Sequence, residues 1–237
     1  MRGDWAVGAV AAVLVLVTAA VAWEGAFFAP TAEAVPIPPP AVDEAPADGV
    51  RTAVFAGGCF WGVQAVFQHV NGVRSAVSGY AGGRDSDPTY VEVSSGATGH
   101  AEAVRVTYDP AVISYGRLLQ VFFSVAHDPT QLNRQGPDYG AQYRSAIFAA
   151  SDEQLRIAQA YLAQLDAADV YDAPVVTTVA PLDAFYRAED YHQDYAERHP
   201  DAPYIVRNDR PKVAALAEMF PDDWREEPAL VRPFEPT

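Results

Sequence analysis

The chain of 237 residues has a single cysteine, Cys59. That count excludes an intrachain disulfide framework and any cysteine-rich metal site. Positive charge is also scarce. Sixteen Lys and Arg stand against 31 Asp and Glu, for a formal net charge of −15. Such a balance argues against non-specific binding to nucleic acid or to anionic membrane surfaces. No internal repeat is visible, so repeat architectures are set aside. His100, His127 and His192 have no metal-ligand spacing with carboxylates, which leaves no metal expected and structural or supporting roles for the histidines. What remains is apolar in half its residues. That is enough for a proper core in one or two domains.

The first residues read as a targeting segment. Arg2 lies in the first four residues, and no charge follows from Trp5 to Trp23, where Ala, Val and Leu dominate. This run is longer than an ordinary signal-peptide core and near the lower limit for a membrane span. Ala20-Val21-Ala22 suits a signal peptidase. Residues 1–23 are therefore expected to export the protein, either cleaved or retained as an inner-membrane anchor, which places the rest in the periplasm or elsewhere outside the cytoplasm. Residues 24–49 are rich in Pro and Ala, include Pro36-Ile37-Pro38-Pro39-Pro40, and show no apolar periodicity. They read as a stiff, extended linker. The functional domain is expected over residues 50–237.

Cys59 lies in Gly57-Gly58-Cys59-Phe60-Trp61-Gly62. The preceding Val50–Ala56 is apolar and β-prone. Val63, Val66, Phe67 and Val70 then recur at three- and four-residue spacing, so a helix follows a strand. The cysteine is thus expected near a helix N-terminus, where free N–H groups and the dipole favour a thiolate. The paired glycines permit a tight turn and a close substrate approach. Taken alone, a lone cysteine is as readily a small buried hydrophobe.

Further along, strands are predicted over Gly72–Tyr80, Ala101–Tyr108, Tyr143–Ala149 and Val175–Val179. Helices are predicted over Ser114–Val125, from the Ser151 cap to about Ala168, over Glu189–Arg198 and over Pro211–Met219. His127–Tyr139 has no period and reads as a long loop, a common place for function. The elements alternate without regular βαβ units, so the expected class is α+β, a mixed sheet with helices packed on it.

Five ordered motifs carry a family likeness. They are Gly57-Gly58-Cys59-Phe60-Trp61-Gly62, Asp87-Pro88-Thr89-Tyr90, Gly99-His100-Ala101-Glu102-Ala103-Val104, the pair Gly136-Pro137-Asp138 and Gly140-Ala141-Gln142-Tyr143-Arg144, and Tyr191-His192-Gln193-Asp194-Tyr195. From about Val54 to about Phe220 the chain resembles the A-type peptide methionine sulfoxide reductases. The resemblance implies a ferredoxin-like core in an α/β sandwich and reduction of methionine S-sulfoxide, free or in proteins, as repair of oxidative damage. It implies no metal or organic cofactor, an external thiol reductant such as thioredoxin or glutaredoxin, and a monomer. It marks Cys59 as nucleophile, Glu102, Tyr90 and Tyr143 as catalytic, and Phe60, Trp61, Asp138 and His192 as substrate-binding.

The chemistry of these residue types agrees. A sulfoxide sulfur is electrophilic, but its oxygen leaves only when protonated or strongly hydrogen-bonded. Glu102 in a buried strand would have a raised pKa and could donate that proton. Tyrosine hydroxyls add donors to the same oxygen, and two large rings suit a methyl group. Taken singly, each residue has a plainer reading. Acids in strands mostly face solvent, buried tyrosines and Trp61 mostly pack, and Asp138 could be a turn residue. Two other functions compete: a thiol peroxidase, which would need no methyl pocket, and a non-catalytic envelope module binding Met-containing peptides.

The chain departs from the family in three places. Where relatives carry resolving cysteines it reads Pro203-Tyr204-Ile205-Val206-Arg207-Asn208. Ser94 stands where some have Cys, and Gln64 replaces a common acid. A sulfenic acid on Cys59 would then wait for an outside thiol.

Overall fold

The computed structural model describes residues 34–231, all of which fall in one compact unit, Thr31–Thr237. The leader expected over residues 1–23, and the first part of the expected linker, lie outside the described residues. No helix among the described residues is long and apolar enough to cross a membrane.

The centre is a six-stranded mixed sheet. Its strands are β1 (Arg51–Gly57), β2 (Val73–Ala81), β3 (Ala101–Tyr108), β6 (Ser145–Ala149), β7 (Thr178–Pro181) and β8 (Phe185–Arg187). The order across the sheet is β7-β6-β1-β3-β2-β8, antiparallel throughout except for the parallel β6–β7 pair. A two-stranded ribbon, β4 (Arg134–Gln135) with β5 (Asp138–Tyr139), stands apart from it. The helices are α1 (Phe60–Gln68), α2 (Tyr90–Ser94), α3 (Tyr115–Val121), α4 (Asp152–Ala168), α5 (Tyr195–Arg198) and α6 (Arg210–Met219). This is the α+β class expected from the pattern of elements.

β1 is a continuous apolar run because both its faces are covered. On one face Phe55 stacks against Phe67 of α1 and Phe122, each with ring centroids 5.0 Å apart. Val63, Val66, Leu118, Leu119, Ile157 and Tyr161 complete this main core. The other face holds a smaller cluster of Val54, Ala56, Ala101, Ala103, Ala146 and Phe148. Side chains alternate along a strand, so Glu102 shares the main-core face with Val104, Val106 and Tyr108 of β3. That alternation buries the acid.

Several expectations need amending. The helix expected to run to Val125 is α3 followed by a π-helical turn, Phe122–Ala126. The long loop contains the β4–β5 ribbon. The strand expected at Val175–Val179 lies at β7, displaced toward the C-terminus, and β8 was not foreseen. The helix expected over Glu189–Arg198 is a 3-10 turn, Asp190–His192, then α5. Between them Asp194 takes a left-handed φ of 55° and Gln193 buries its amide. That amide accepts from Ser78 N–H and donates to Ser78 and Ala188 carbonyls, each at 3.0 Å, tying the segment to β2.

Residues 34–49 are extended, as their prolines require, but they pack on the domain as a strap. Val35 N–H donates to the Ser124 carbonyl at 2.9 Å. The carbonyls of Ile37, Pro38 and Pro39 accept from Gln120, Tyr161 and Gln164 at 2.9, 2.7 and 2.8 Å. Glu44 is buried, accepting from Tyr115 N–H at 2.7 Å and from Tyr108 and Arg51. The compact unit therefore extends at least sixteen residues upstream of Val50, counting 34 to 49.

Candidate active site

The sharp turn between β1 and α1 presents Cys59. Gly58 has φ +91°, and a Cβ there would lie 2.4 Å from Gln135 Cγ. A Cβ on Gly57 would lie 2.8 Å from Phe122 Cε2. The left-handed Gly58 makes the tight turn that was expected, and the two glycines also admit the close approach of Gln135 and Phe122. Cys59 occupies the N-cap of α1 and is partly exposed. The Trp61 N–H acts to hold the sulfur as an anion, but burial, the nearby Asp209 and Asp138 and, once ionised, Glu102 outweigh it. The thiol is pushed well above its ordinary value. The resting group is thus a protonated thiol, contrary to the thiolate that a helix N-terminus by itself would favour.

Glu102 is 2% exposed, and its Oε2 accepts from the Phe60 N–H at 3.0 Å. Burial pushes its carboxyl up to about 8, Phe60 N–H pulls it down, and Asp138 adds to the rise. At neutral pH Glu102 is a protonated acid joined to the first turn of the helix that Cys59 caps. Tyr143 ends a 3-10 turn, Ala141–Tyr143. Burial raises its pKa first, and Glu102, Asp138, Tyr90 and Cys59 are each near enough to add to the rise when ionised, so its hydroxyl belongs to the same cluster. Tyr90 opens α2 behind the Thr89 cap, with its N–H held by Glu189 Oε1 at 2.9 Å. Burial raises its hydroxyl and Ser94 acts against that rise. Both tyrosines stay neutral donors.

The aromatic residues form a second side of the site. Trp61 stacks on Tyr195 with centroids 3.8 Å apart and meets Tyr204 edge-on at 5.9 Å. Its Nε1–H donates to His192 Nδ1 at 3.2 Å. The His192 ring lies 4.9 Å from Phe60 and 4.5 Å from Tyr90. Burial pulls its pKa down, so it is a neutral imidazole. Phe60 is only 1% exposed, whereas Trp61 is partly open.

Asp138 lies on β5 and shares a cavity with Cys59. It accepts from the Tyr204 hydroxyl at 2.5 Å. Burial raises its pKa, while Tyr204 and Lys212 oppose the rise. A cavity of about 20 Å³ beside Cys59 is lined by Gln135, Asp138, Tyr204, Asn208 and Lys212 among others. The structure thus brings every sequence-predicted site residue to one neighbourhood. It also adds Tyr204, Asn208, Asp209 and Lys212, which sequence reasoning missed. One signal was available, since Lys212 is the chain's only lysine.

Gln64 has a structural explanation. Its Nε2 donates to the Ala76 carbonyl at 2.9 Å and to Gln193 Oε1 at 3.2 Å, and its Oε1 accepts from Asp194 N–H at 2.9 Å. The position needs a donor and an acceptor together, which an amide supplies and an ionised acid does not. Gln64 thereby fixes the segment carrying His192 and Tyr195 against α1.

The family model for peptide methionine sulfoxide reductase matches residues 51–224. A peptide methionine sulfoxide reductase, MsrA 2, of Mesorhizobium japonicum is 60% identical over 190 residues, covering 80% of this chain and 97% of that protein. A second, from Synechocystis, is 51% identical over 190 residues, covering 78% and 89%. Among solved structures, Mxr1 of Saccharomyces cerevisiae in reduced form aligns with TM-score 0.58 at 32% identity, covering 68% of this chain and 92% of that one. Methionine sulfoxide reductase A of Corynebacterium diphtheriae aligns with TM-score 0.57 at 34% identity, covering 73% and 91%. By sequence and by fold, the chain belongs to the A-type peptide methionine sulfoxide reductases, oxidoreductases that reduce methionine sulfoxide at the expense of thiols.

Proposed function

We propose that the chain reduces methionine S-sulfoxide, free or in proteins, by attack of Cys59 on the sulfoxide sulfur. Glu102 donates its proton to the sulfoxide oxygen, and the Tyr90 and Tyr143 hydroxyls donate hydrogen bonds to it. As the oxygen takes the proton, the substrate sulfur becomes more electrophilic and Cys59 attacks. The thiol proton returns to Glu102. The net step converts Cys59 thiol and a sulfoxide into a sulfenic acid and methionine, so the cysteine is oxidised by two electrons and the sulfoxide reduced by two. Trp61, backed by Phe60 and His192, holds the methyl group, and Asp138 contacts the rest of the substrate. The single observation that carries this reading is the buried Glu102, protonated at neutral pH and bonded to Phe60 N–H beside the sulfur.

With no second thiol in the chain, an outside thiol of the thioredoxin or glutaredoxin kind regenerates Cys59, and no metal or organic cofactor takes part. The protein acts as a monomer outside the cytoplasm, exported or anchored through residues 5–23. Cell fractionation with N-terminal sequencing tests the location; full-length chain in the soluble cytoplasm refutes it. The test of the chemistry is turnover with each sulfoxide epimer, supplied with small dithiols and with redoxins. The S epimer should turn over with added thiol. Without thiol, one methionine per chain should be released. Sustained turnover with no added reductant refutes the scheme.

A further inference from the structure

The chain's only lysine and only cysteine line the same cavity. At about 20 Å³ this space holds roughly one water, the size of a single oxygen substituent on the Cys59 sulfur. Lys212 is 8% exposed, unusual for a lysine unless it is paired. Its partner is Asp209, whose Oδ1 lies 3.4 Å from the ammonium. Asp209 is wholly buried, and its second oxygen, Oδ2, has no hydrogen-bond partner. The pair sits over the first turn of α1. A Cβ on Gly62 would lie 2.1 Å from Asp209 Oδ1 and 3.0 Å from Lys212 Nζ. Cys59 caps that turn three residues earlier, so sulfur and ammonium share a face of the helix end.

We propose that this cavity is a sulfenate site: once Cys59 is oxidised, its oxygen occupies the cavity and the Lys212 ammonium stabilises it as an anion until an external thiol arrives. The proposal rests on the sulfenic acid that the reductase reading assigns to Cys59. The surroundings make a cation necessary. Asp138 from β5 and Asp209 act on the Cys59 sulfur as negative neighbours, and Glu102 from β3 joins them only once it ionises, near pH 8. Tyr90, Tyr143 and Tyr204 are neutral, and His127, behind Gly57, is kept neutral by burial and further lowered by Lys212. Among these, Lys212 alone offers positive charge to an anionic sulfenate. No new bond or electron transfer is involved; the site shifts only the proton equilibrium of the S–OH group.

The test uses full-length protein oxidised with one equivalent of hydrogen peroxide, which converts the thiol to the sulfenic acid with release of water and bypasses the sulfoxide reaction. The sulfenic acid is then trapped with a carbon-acid nucleophile across a pH series and read by intact mass. Such a trap reacts with the neutral S–OH form, so its pH-corrected rate reports the ionisation midpoint. Lys212→Met would strand Asp209 as a buried charge, so the informative variant is Lys212→Met with Asp209→Asn. Its midpoint should lie at least one pH unit above wild type, a tenfold change in the ionisation constant, and Lys212→Arg should restore most of the shift. Superimposable wild-type and double-variant profiles overturn the proposal. So does a wild-type product two hydrogens lighter than the reduced protein, which would mean lysine bonded to the sulfur. The methionine burst from sulfoxide in wild type is scored separately: its absence with a normal peroxide-generated shift sinks the reductase reading and leaves the sulfenate site standing.

Discussion

The two halves of the site are built differently. Cys59 sits at the turn between β1 and α1, Phe60 and Trp61 on α1 and Glu102 on β3, elements whose neighbours are the main core. Tyr143, Asp138, His192 and Tyr204 sit on a 3-10 turn, a two-residue strand, another 3-10 turn and the residue before a π-helical turn. The first half is held by packing and backbone ladders. The second is held by side-chain amides and hydroxyls: Gln135 bonds Asp128 at 3.0 Å through its Oε1, Gln64 grips Asp194, and Tyr204 grips Asp138. The proposed nucleophile and acid thus stand against the main core with Phe60 and Trp61 beside them, whereas Tyr143 and Asp138 stand on short turns and loops positioned by that scaffold.

The comparison predicts that changes on the rigid side cost chemistry outright. Cys59→Ser should abolish reduction while leaving the fold and thermal midpoint near wild type, because a hydroxyl of ordinary pKa is a poor nucleophile toward sulfur. Residual turnover well above background, by product analysis, would remove Cys59 from its role.

Glu102→Gln should slow the single-turnover rate by about 10²-fold or more with little change in substrate affinity. In wild type that rate should fall as pH rises through about 8, where Glu102 loses its proton. Stability should depend on pH in the same direction. The folded carboxyl binds its proton more tightly than the unfolded one, so stability declines as pH climbs from the ordinary carboxylate range toward about 8. Glu102→Gln removes that decline, and its melting temperature should exceed wild type more at pH 8.5 than at pH 6. A variant with identical pH dependence would place the shift elsewhere.

Away from the site, Glu44→Ala tests whether the strap belongs to the domain. It strands the Tyr115 N–H and the Tyr108 hydroxyl, which should cost about 1–3 kcal/mol each where no water replaces the carboxylate. A denaturant midpoint equal to wild type would return residues 34–49 to the status of a linker.

Changes on the loop side should be milder. Tyr204→Phe removes one hydroxyl from Asp138, a bond to a charged group worth about 1.5–3 kcal/mol, and frees Asp138 to rise further in pKa, since Tyr204 opposes that rise. The expected result is a raised KM for a peptide sulfoxide with kcat changed severalfold at most. A loss as large as that of Glu102→Gln would make Tyr204 part of the chemistry and blur the distinction between the halves.

How much of this was legible beforehand follows the same division. The strand–turn–helix around Cys59 and the strand Ala101–Tyr108 read directly, because apolar periodicity reports burial and both elements are buried. Glu102 was readable as buried because alternation along β3 sets it in line with Val104 and Val106. The break at Gln193–Asp194 was not readable. Periodicity continues through it, and only the tertiary partners Ser78 and Gln64 make an amide worth more there than another helical turn. Residues 34–49 have the composition of a linker, and composition does not register that their carbonyls find Gln120, Tyr161 and Gln164.

By itself, then, the sequence determined the α+β class and the dependence on an outside thiol, and it named the candidate nucleophile and acid. These rest on local patterns, ordered motifs and a count of one cysteine. The tertiary structure alone decided the protonation of that cysteine and the company it keeps. A helix N-terminus favours a thiolate, but burial of the sulfur and the acidic groups that other parts of the chain bring near it outweigh that preference. Only folding brings Lys212, 153 residues away by the difference of 212 and 59, to the same cavity. Electrostatic interactions depend on distance and burial, and neither is encoded in the spacing of residues along a chain.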